Sequence, residues 1–230
     1  MKYSELFKVI KNSGDWIEIG DDVDYKIVVD DNDKIVYLLF KQSDSKRDWQ
    51  NNFAFTCAMY KNKLMRIHRG YARAYLSCND DIMLEFISKV KEHPDYTPVI
   101  SGWSYGGAMS ILAAEDFNFR TREQKSNNID EDVNSGKKAI VFTFGAPKIV
   151  GSTKSVKYIK KVIDNRSKQF VNALDIVTIC VPLPNYEHIA KVKIGKIKFS
   201  NLFKLFNAVE QHTHYDELIL YNNIDGFILD

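Results

Sequence analysis

Residues 98–108, PVISGWSYGGA, join a short apolar run to a glycine-rich turn and a helix-forming segment. The centre of this stretch, GWSYG at residues 102–106, has the form G-x-S-x-G. Between a strand and a helix, such a motif is typical of a nucleophile elbow, in which a strained turn exposes the serine hydroxyl and a helix N-terminus faces the developing oxyanion. The stretch therefore predicts Ser104 as a nucleophile, against the alternative of a glycine-rich turn with an incidental serine.

The segments on either side of this motif alternate between strand and helix patterns, and the first part of the chain is rich in hairpins. This order predicts an α/β fold with a mixed, mostly parallel central sheet, an antiparallel N-terminal edge and helices on both faces. The polar segment 120–138 is expected to be a surface excursion. The predicted strands are 25–30, 34–40, 53–60, 65–71, 98–102, 139–144 and 169–172, and the predicted helices are 72–92, 108–117 and 154–164.

The composition is that of a globular protein with one domain over residues 1–230. The chain carries 32 Lys+Arg against 30 Asp+Glu, a formal charge of +2, which argues against a dedicated nucleic-acid-binding protein. Three cysteines without a CxxC pair do not form a disulfide framework or suggest a zinc site, and no metal or cofactor is expected. The sequence has no secretory h-region and no long apolar window, so a cytoplasmic location is the default expectation.

A catalytic serine needs a base, and the base needs a carboxylate that orients it. Asp175 follows a strand-like segment, and His188, His212 and His214 come after it. The order Ser, Asp, His along the chain is the one that α/β-hydrolases use. Spacing within this order leaves the choice among the three histidines open.

Six separated blocks of the sequence occur in an order that resembles a known family. They are FKQS with DW (40–43 and 48–49), IHRGY (67–71), SGWSYGGA (101–108), FTFGAPK (142–148), VNALDIV (171–177) and HTHY (212–215). Together they resemble the class 3 (fungal-type) lipases of the α/β-hydrolase superfamily, over about residues 34–216. The resemblance implies an α/β-hydrolase fold and a serine carboxylic ester hydrolase that needs no cofactor.

Carried over by position, the resemblance implies that Ser104 is the nucleophile, Asp175 the orienting acid and His212 the general base. His212 is favoured over its rival His214 because it stands three residues before Tyr215, as the family pattern requires.

The resemblance also implies two oxyanion donors and a lid. The donors are the backbone amide of Tyr105 and the amide, with the hydroxyl, of Ser43. Asp48 and Trp49 belong to the implied lid, residues 44–52, which is short and polar apart from Trp49. A lid with so little apolar surface predicts weak dependence on an oil–water interface, and short or medium acyl esters or soluble lysolipids as substrates.

Several residues depart from the family pattern. Trp103 replaces the usual His before the nucleophile, Tyr105 the usual Leu after it, and Gln42 the usual Gly before the oxyanion serine. Thr178 and Ile179 stand where proline is usual. These departures keep two alternatives open: a catalytically silent binding module with the same fold, and an acyltransferase that uses the same triad.

The expected partner is a small-molecule ester or lipid. Four alternating lysines, at 191, 193, 196 and 198, and the apolar segment 199–206 are interpreted as a solvated strand face and a core or pocket-wall helix. The alternative is peripheral contact with an anionic lipid surface. Neither the acyl chain nor the oligomeric state follows from the sequence.

Overall fold

The computed structural model describes residues 1–12, 14–20, 23–42, 57–60, 65–126, 137–179, 186–194 and 212–229. The implied oxyanion Ser43, the lid residues Asp48 and Trp49, the lysines at 196 and 198, and segment 199–206 lie outside the described residues. The helices are α1 Tyr3–Asn12, α2 Arg69–Leu76, α3 Asn79–Glu92, α4 Tyr105–Ser126, α5 Thr153–Val162, α6 Ile176–Ile179 and α7 Tyr215–Tyr221. The strands are β1 Ile17–Ile19, β2 Val23–Asp30, β3 Ile35–Phe40, β4 Cys57–Tyr60, β5 Met65–His68, β6 Thr97–Trp103, β7 Ile140–Phe144, β8 Lys168–Asn172 and β9 Lys191–Ile194.

Seven of these strands form one mixed sheet in the order β1-β2-β3-β6-β7-β8-β9. The first three pair antiparallel, and from β3 to β9 every pairing is parallel. The predicted fold class and the predicted hairpin, with Tyr25 opposite Phe40 and Asp30 opposite Ile35, are therefore confirmed. Strands β4 and β5 form a separate antiparallel ribbon.

Strand β3 shows how the sheet is covered on both faces. All six of its residues are buried, as expected for a central strand between two helical layers. Because side chains alternate along a strand, Val36, Leu38 and Phe40 join the cluster under α2, α3, α4 and α5. Residues 35, 37 and 39 join the opposite cluster with α1 and α7.

Residues 72–92 form two helices instead of the single helix predicted. The break falls at Ser77 and Cys78, where the Ser77 hydroxyl donates to the carbonyl of Ala74 at 2.8 Å and competes with the helical ladder. The side-chain amide of Asn79 then donates to Asp116 on α4 at 3.1 Å, which anchors the start of α3. The predicted strand 65–71 was also too long, because α2 begins directly after His68.

Helix α4 runs further than predicted in both directions, so the expected surface excursion does not begin at residue 120. Arg120 lies within the helix and pairs with Asp116 one turn earlier and with Asp80 of α3. None of the described helices combines the length and apolar character needed to cross a membrane.

Candidate active site

Ser104 lies at the turn between β6 and α4, at the carboxyl end of the parallel strands. Its φ angle is 55°, in the left-handed region that non-glycine residues rarely adopt. Its backbone amide donates to the Phe144 carbonyl of the neighbouring strand at 2.9 Å, and the residue is 8% exposed. A strained serine that joins a central strand to a helix is the geometry of a nucleophile elbow.

Gly106 allows the elbow to approach the end of β3. A Cβ at this position would lie 2.3 Å from the carbonyl oxygen of Phe40 and 2.5 Å from that of Lys41, both impossible contacts. The segment that leads to Ser43 therefore passes directly beside the start of α4. Tyr105 is the first residue of α4, and amides in the first turn of a helix point out of its N-terminus, toward the place where an oxyanion would form.

Asp175 and His212 form a buried pair next to this turn. Nδ1 of His212 lies 2.7 Å from Oδ2 of Asp175, and the two residues are 4% and 0% exposed. A carboxylate accepts hydrogen bonds, so this contact assigns the imidazole proton to Nδ1 and leaves Nε2 as the basic nitrogen. Nε2 is buried and has no hydrogen-bond partner among the described residues.

The carboxylate of Asp175 accepts two hydrogen bonds besides the one from His212. The hydroxyl of Tyr215 donates to Oδ2 at 2.8 Å, and the amide of Val177 donates to Oδ1 at 2.9 Å. The same tyrosine hydroxyl accepts from the amide of Asn172 at 3.0 Å, which links it to the end of β8. Burial and the charge of Asp175 raise the pKa of Tyr215, so it stays protonated and remains a donor.

The Asp175–His212 pair is contacted closely by Gly145, directly after β7, and by Trp103, the last residue of the strand that leads to Ser104. Gly145 follows β7 at a φ of 59°, and a Cβ there would lie 2.8 Å from Cε1 of His212 and 2.9 Å from Oδ2 of Asp175. The indole ring of Trp103 lies 5.6 Å from the ring of His212. Ser104 makes no hydrogen bond to Nε2 here, and such catalytic bonds commonly tighten only when substrate is bound.

The other candidate histidines lie elsewhere in the site region. Nδ1 of His214 contacts the Thr213 hydroxyl at 3.0 Å, and His214 precedes α7. His188 is buried, with Nε2 3.4 Å from the Thr178 carbonyl; burial and the charge of Lys191 lower the pKa of His188 to about 4. Of the three histidines that the sequence offered, His212 is the one that the structure pairs with Asp175.

The departures from the family pattern have local explanations. Gln42 is not among the described residues with positive φ, so the absence of glycine there causes no backbone strain in this structure. The hydroxyl of Thr178 donates to the carbonyl of Asp175 at 2.8 Å and so helps to hold the loop where proline is usual. The ring of Tyr105 packs 5.7 Å from that of Tyr71, beside the elbow.

Three contributors to the site were not assigned roles from the sequence: Tyr215, Gly145 and the indole of Trp103. Tyr215 served as a spacing marker, and its distance of three residues from His212 is the one signal that pointed toward it. The described residues contain no group of three or more His, Cys, Asp and Glu side chains that could hold a metal ion.

Comparison with known proteins gives a family match and a set of structural neighbours. Residues 37–185 match the family described as Lipase (class 3). The chain is 25% identical to a lipase from Rhizomucor miehei over 147 residues, 64% of this chain and 37% of the relative. It is 27% identical to a lipase from Rhizopus niveus over 124 residues, 54% of this chain and 29% of the relative. The chain thus spans only about a third of the length of these curated relatives.

Solved lipase structures share the fold. The triacylglyceride lipase of Rhizomucor miehei superposes with a TM-score of 0.66 at 22% identity, covering 79% of this chain and 66% of that chain. A triacylglycerol lipase whose catalytic centre is described as a serine protease triad superposes with a TM-score of 0.65 at 22% identity, covering 79% and 66%. At these identities, the likeness establishes the α/β-hydrolase fold.

Proposed function

This chain belongs to the class 3 lipase family, and from that membership we propose that it hydrolyses carboxylic esters of lipids or similar molecules with Ser104, His212 and Asp175 as its triad. The observation that carries the proposal is the buried Asp175–His212 pair beside a serine held at a φ of 55°. In that pair, Nε2 of His212 has no hydrogen-bond partner among the described residues and can accept a proton. The triad described for a related triacylglycerol lipase supports the same assignment.

In the proposed reaction, Nε2 of His212 takes the proton of the Ser104 hydroxyl while Oγ bonds to the ester carbonyl carbon. The bond from that carbon to the alcohol oxygen then breaks, and the alcohol leaves with the proton from Nε2. Water repeats the sequence on the acyl-serine: its proton passes to Nε2, its oxygen bonds to the carbonyl carbon, and Ser104 regains its proton as the acid departs. Asp175 keeps the imidazole tautomer fixed throughout.

The developing oxyanion would be held by the amide of Tyr105 and by Ser43. The position of Tyr105 at the first residue of α4 supports the first donor. The close approach of Phe40 and Lys41 to Gly106 supports the second, because Ser43 follows two residues later. Removal of one such donor typically lowers turnover by about 10²–10³-fold.

The whole chain, residues 1–230, is proposed to form the single catalytic domain. Helices α1 and α7 lie outside the matched residues 37–185, yet they share a buried cluster on one face of the sheet. His212 and Tyr215 also lie beyond that match, so the proposed base and its support depend on these flanking helices.

The proposed substrates are esters with short or medium acyl chains, or soluble lysolipids. Support comes from the polar composition of residues 44–52, the implied lid that includes Asp48 and Trp49. Strong activation above the aggregation point of a long-chain ester would contradict this preference. Product analysis with added alcohol acceptors separates hydrolysis from the alternative, acyl transfer.

A peripheral contact with anionic lipid is proposed for the alternating lysines of residues 191–198. Their described members, Lys191 and Lys193 of β9, are called the lysine patch together with the neighbouring Lys148. Partial burial, and then the charges of its two neighbours, lower the pKa of Lys191, which reflects how closely the three cations lie together. No ion pair joins them to an acidic side chain among the residues that the structure describes. Each lysine near an acidic surface contributes about 1 kcal/mol.

The lipid contact is tested by sedimentation with vesicles of phosphatidylserine and phosphatidylcholine at low and high salt. Lys191→Glu should weaken binding more than fivefold, since about 1 kcal/mol is lost for each cation. The control is Lys157→Glu on the exposed face of α5. Equal binding by the two variants, or binding without salt dependence, would contradict the contact.

The catalytic proposal is tested by hydrolysis of p-nitrophenyl esters from acetate to palmitate, with wild type and Ser104→Ala side by side. We expect activity in the wild type alone, with an optimum at short or medium chains. Equal background rates in both proteins across the series would favour the catalytically silent module.

A further inference from the structure

The backbone of the proposed base is held by two side chains from other elements. Nε1 of Trp103, at the end of β6, donates to the carbonyl of His212 at 3.0 Å, a buried contact. Nζ of Lys11, at the end of α1, donates to the carbonyl of Thr213 at 2.9 Å, an exposed contact. The consecutive peptide carbonyls of His212 and Thr213 are therefore held by side chains of two different elements, β6 and α1.

We propose that Trp103 and Lys11, together called the His212 clamp, are positioning residues that hold the general base at the nucleophile. The inference rests on the proposed function of Ser104 and His212, and it goes beyond it by assigning a role to two residues that touch no reacting atom. The imidazole reaches Asp175 through Nδ1, so the position of Nε2 depends on where the His212 backbone lies.

Trp103 is well placed for this role because it is the residue before the nucleophile. It pairs with Phe144 across the sheet, and it is 3% exposed. Phe7 of α1 packs edge-on against its ring, with centroids 5.4 Å apart, so the indole has a fixed direction. One rigid side chain thus connects the Ser104 turn to the backbone of His212.

Lys11 contributes from the same helix that packs on the indole. Helix α1 lies against α7, which begins three residues after His212. The Lys11 contact is exposed, so it is expected to be the weaker half of the clamp, since water competes for the ammonium group. Both halves act on the orientation of the base, and neither can contact the scissile ester through the atoms that make these bonds.

Loss of the indole N–H leaves a buried carbonyl without its donor while the aromatic packing is largely retained. Trp103→Phe should therefore let the His212 backbone shift and lower kcat by about 10- to 100-fold, the range typical of a misplaced catalytic group. KM should stay within about twofold, because the change removes an interaction that acts on the chemical step and not on substrate binding.

The Trp103 test compares kcat and KM for p-nitrophenyl butyrate in Trp103→Phe and Trp16→Phe. Trp16 precedes β1 at the far edge of the sheet, so it gives the same chemical change away from the site. A selective fall in kcat for Trp103→Phe supports the clamp. A fall no larger than that of Trp16→Phe, or an equal rise of KM, overturns the Trp103 half of it.

The Lys11 test uses three variants on the exposed surface of α1, so none of them changes a side chain in the buried core. Lys11→Met should lower kcat by about threefold, as expected for an exposed hydrogen bond. Lys11→Arg should restore it, and Lys8→Met, an exposed control on the same helix, should leave it unchanged. Identical kcat values for Lys11→Met and Lys8→Met overturn the Lys11 half of the clamp.

Ser104→Ala separates failure of this inference from failure of the proposed function. If Ser104→Ala retains the wild-type rate, the proposed catalytic function is wrong, and so is the role proposed for the His212 clamp. If Ser104→Ala is inactive while the clamp variants match their controls, the triad stands and only the clamp is wrong.

Discussion

Substitution of Gly145 by alanine tests whether the Asp175–His212 geometry controls activity. The new Cβ would lie 2.8–2.9 Å from atoms of both residues. Ordinary contacts between such atoms are about 3.5–4.0 Å, so the pair must move by about 0.6–1.2 Å. A displacement of about 1 Å typically costs about 100-fold in rate, and we expect a loss of kcat of that size.

The same substitution should leave the protein folded. Alanine at the left-handed φ of 59° costs about 1–2 kcal/mol, which is a minor part of the roughly 5–15 kcal/mol that holds a domain together. The assay is kcat for p-nitrophenyl butyrate, together with the free energy of unfolding in urea. Gly14→Ala is the matched control, because no atom lies within 4 Å of a Cβ at that position.

Two results would contradict the expected effect of Gly145→Ala. The first is a folded Gly145→Ala protein with kcat within about threefold of wild type, which would mean that the pair does not limit the reaction. The second is a loss of more than about 4 kcal/mol of unfolding free energy, since the strain then exceeds what the contacts imply.

Three further predictions concern stability and pH. Tyr215→Phe removes a donor to the Asp175 carboxylate and the hydroxyl that accepts from the Asn172 amide, so urea unfolding should show a loss of about 2–5 kcal/mol. A loss below about 1 kcal/mol would contradict the network. Ser104→Gly removes the strain of a serine side chain at a left-handed φ, so the free energy of unfolding should rise by about 1 kcal/mol while activity disappears. A loss of stability would show that the backbone at this position is not strained. In the folded protein, the pKa of His188 is about 4, below the ordinary value for histidine. As the pH falls, the unfolded chain therefore binds this proton before the folded protein does. Because of His188, the free energy of unfolding should fall by about 2 kcal/mol between pH 7 and 4.5. His188→Gln should lose less over the same range in urea titrations, and an equal loss would contradict the assignment.

Much of the fold was predictable because its strands have strong local patterns. The apolar runs that became β3, β6 and β7 stand out in the sequence, since buried parallel strands are almost continuously apolar. Strand β1 and helices α6 and α7 are short and were not predicted. Strand β9 lies in the lysine-alternating segment that was interpreted as a solvated strand face, and Lys191 and Lys193 are exposed on it where it pairs with β8.

The single helix predicted for 72–92 was wrong because its break depends on contacts that periodicity does not encode. The Ser77 hydroxyl bonds back to Ala74, and Asn79 is held by Asp116 from a helix that is distant in sequence. The extension of α4 to Ser126 was missed for a related reason, because Arg120 is supported by Asp116 and by Asp80 across the helix pair.

The candidate site was also predicted only in part from the sequence. The motif and the order of residues along the chain indicated Ser104 and Asp175, and the resemblance to the class 3 lipases selected His212 from three histidines by its distance from Tyr215. The support from Tyr215, the close approach of Gly145 and the indole bond of Trp103 arise from folding, which brings segments 40 to 109 residues apart into contact. Ser43, Asp48 and Trp49 stay predictions, as does the cytoplasmic location expected from the sequence.

Labelling by a fluorophosphonate, followed by peptide mass spectrometry, tests directly whether Ser104 is an activated nucleophile. We expect one phosphonyl adduct on Ser104, no adduct in Ser104→Ala, and much slower labelling in His212→Gln, because the serine then lacks its base. An unlabelled wild-type protein, or an adduct on another residue that persists in Ser104→Ala, would contradict this role of Ser104.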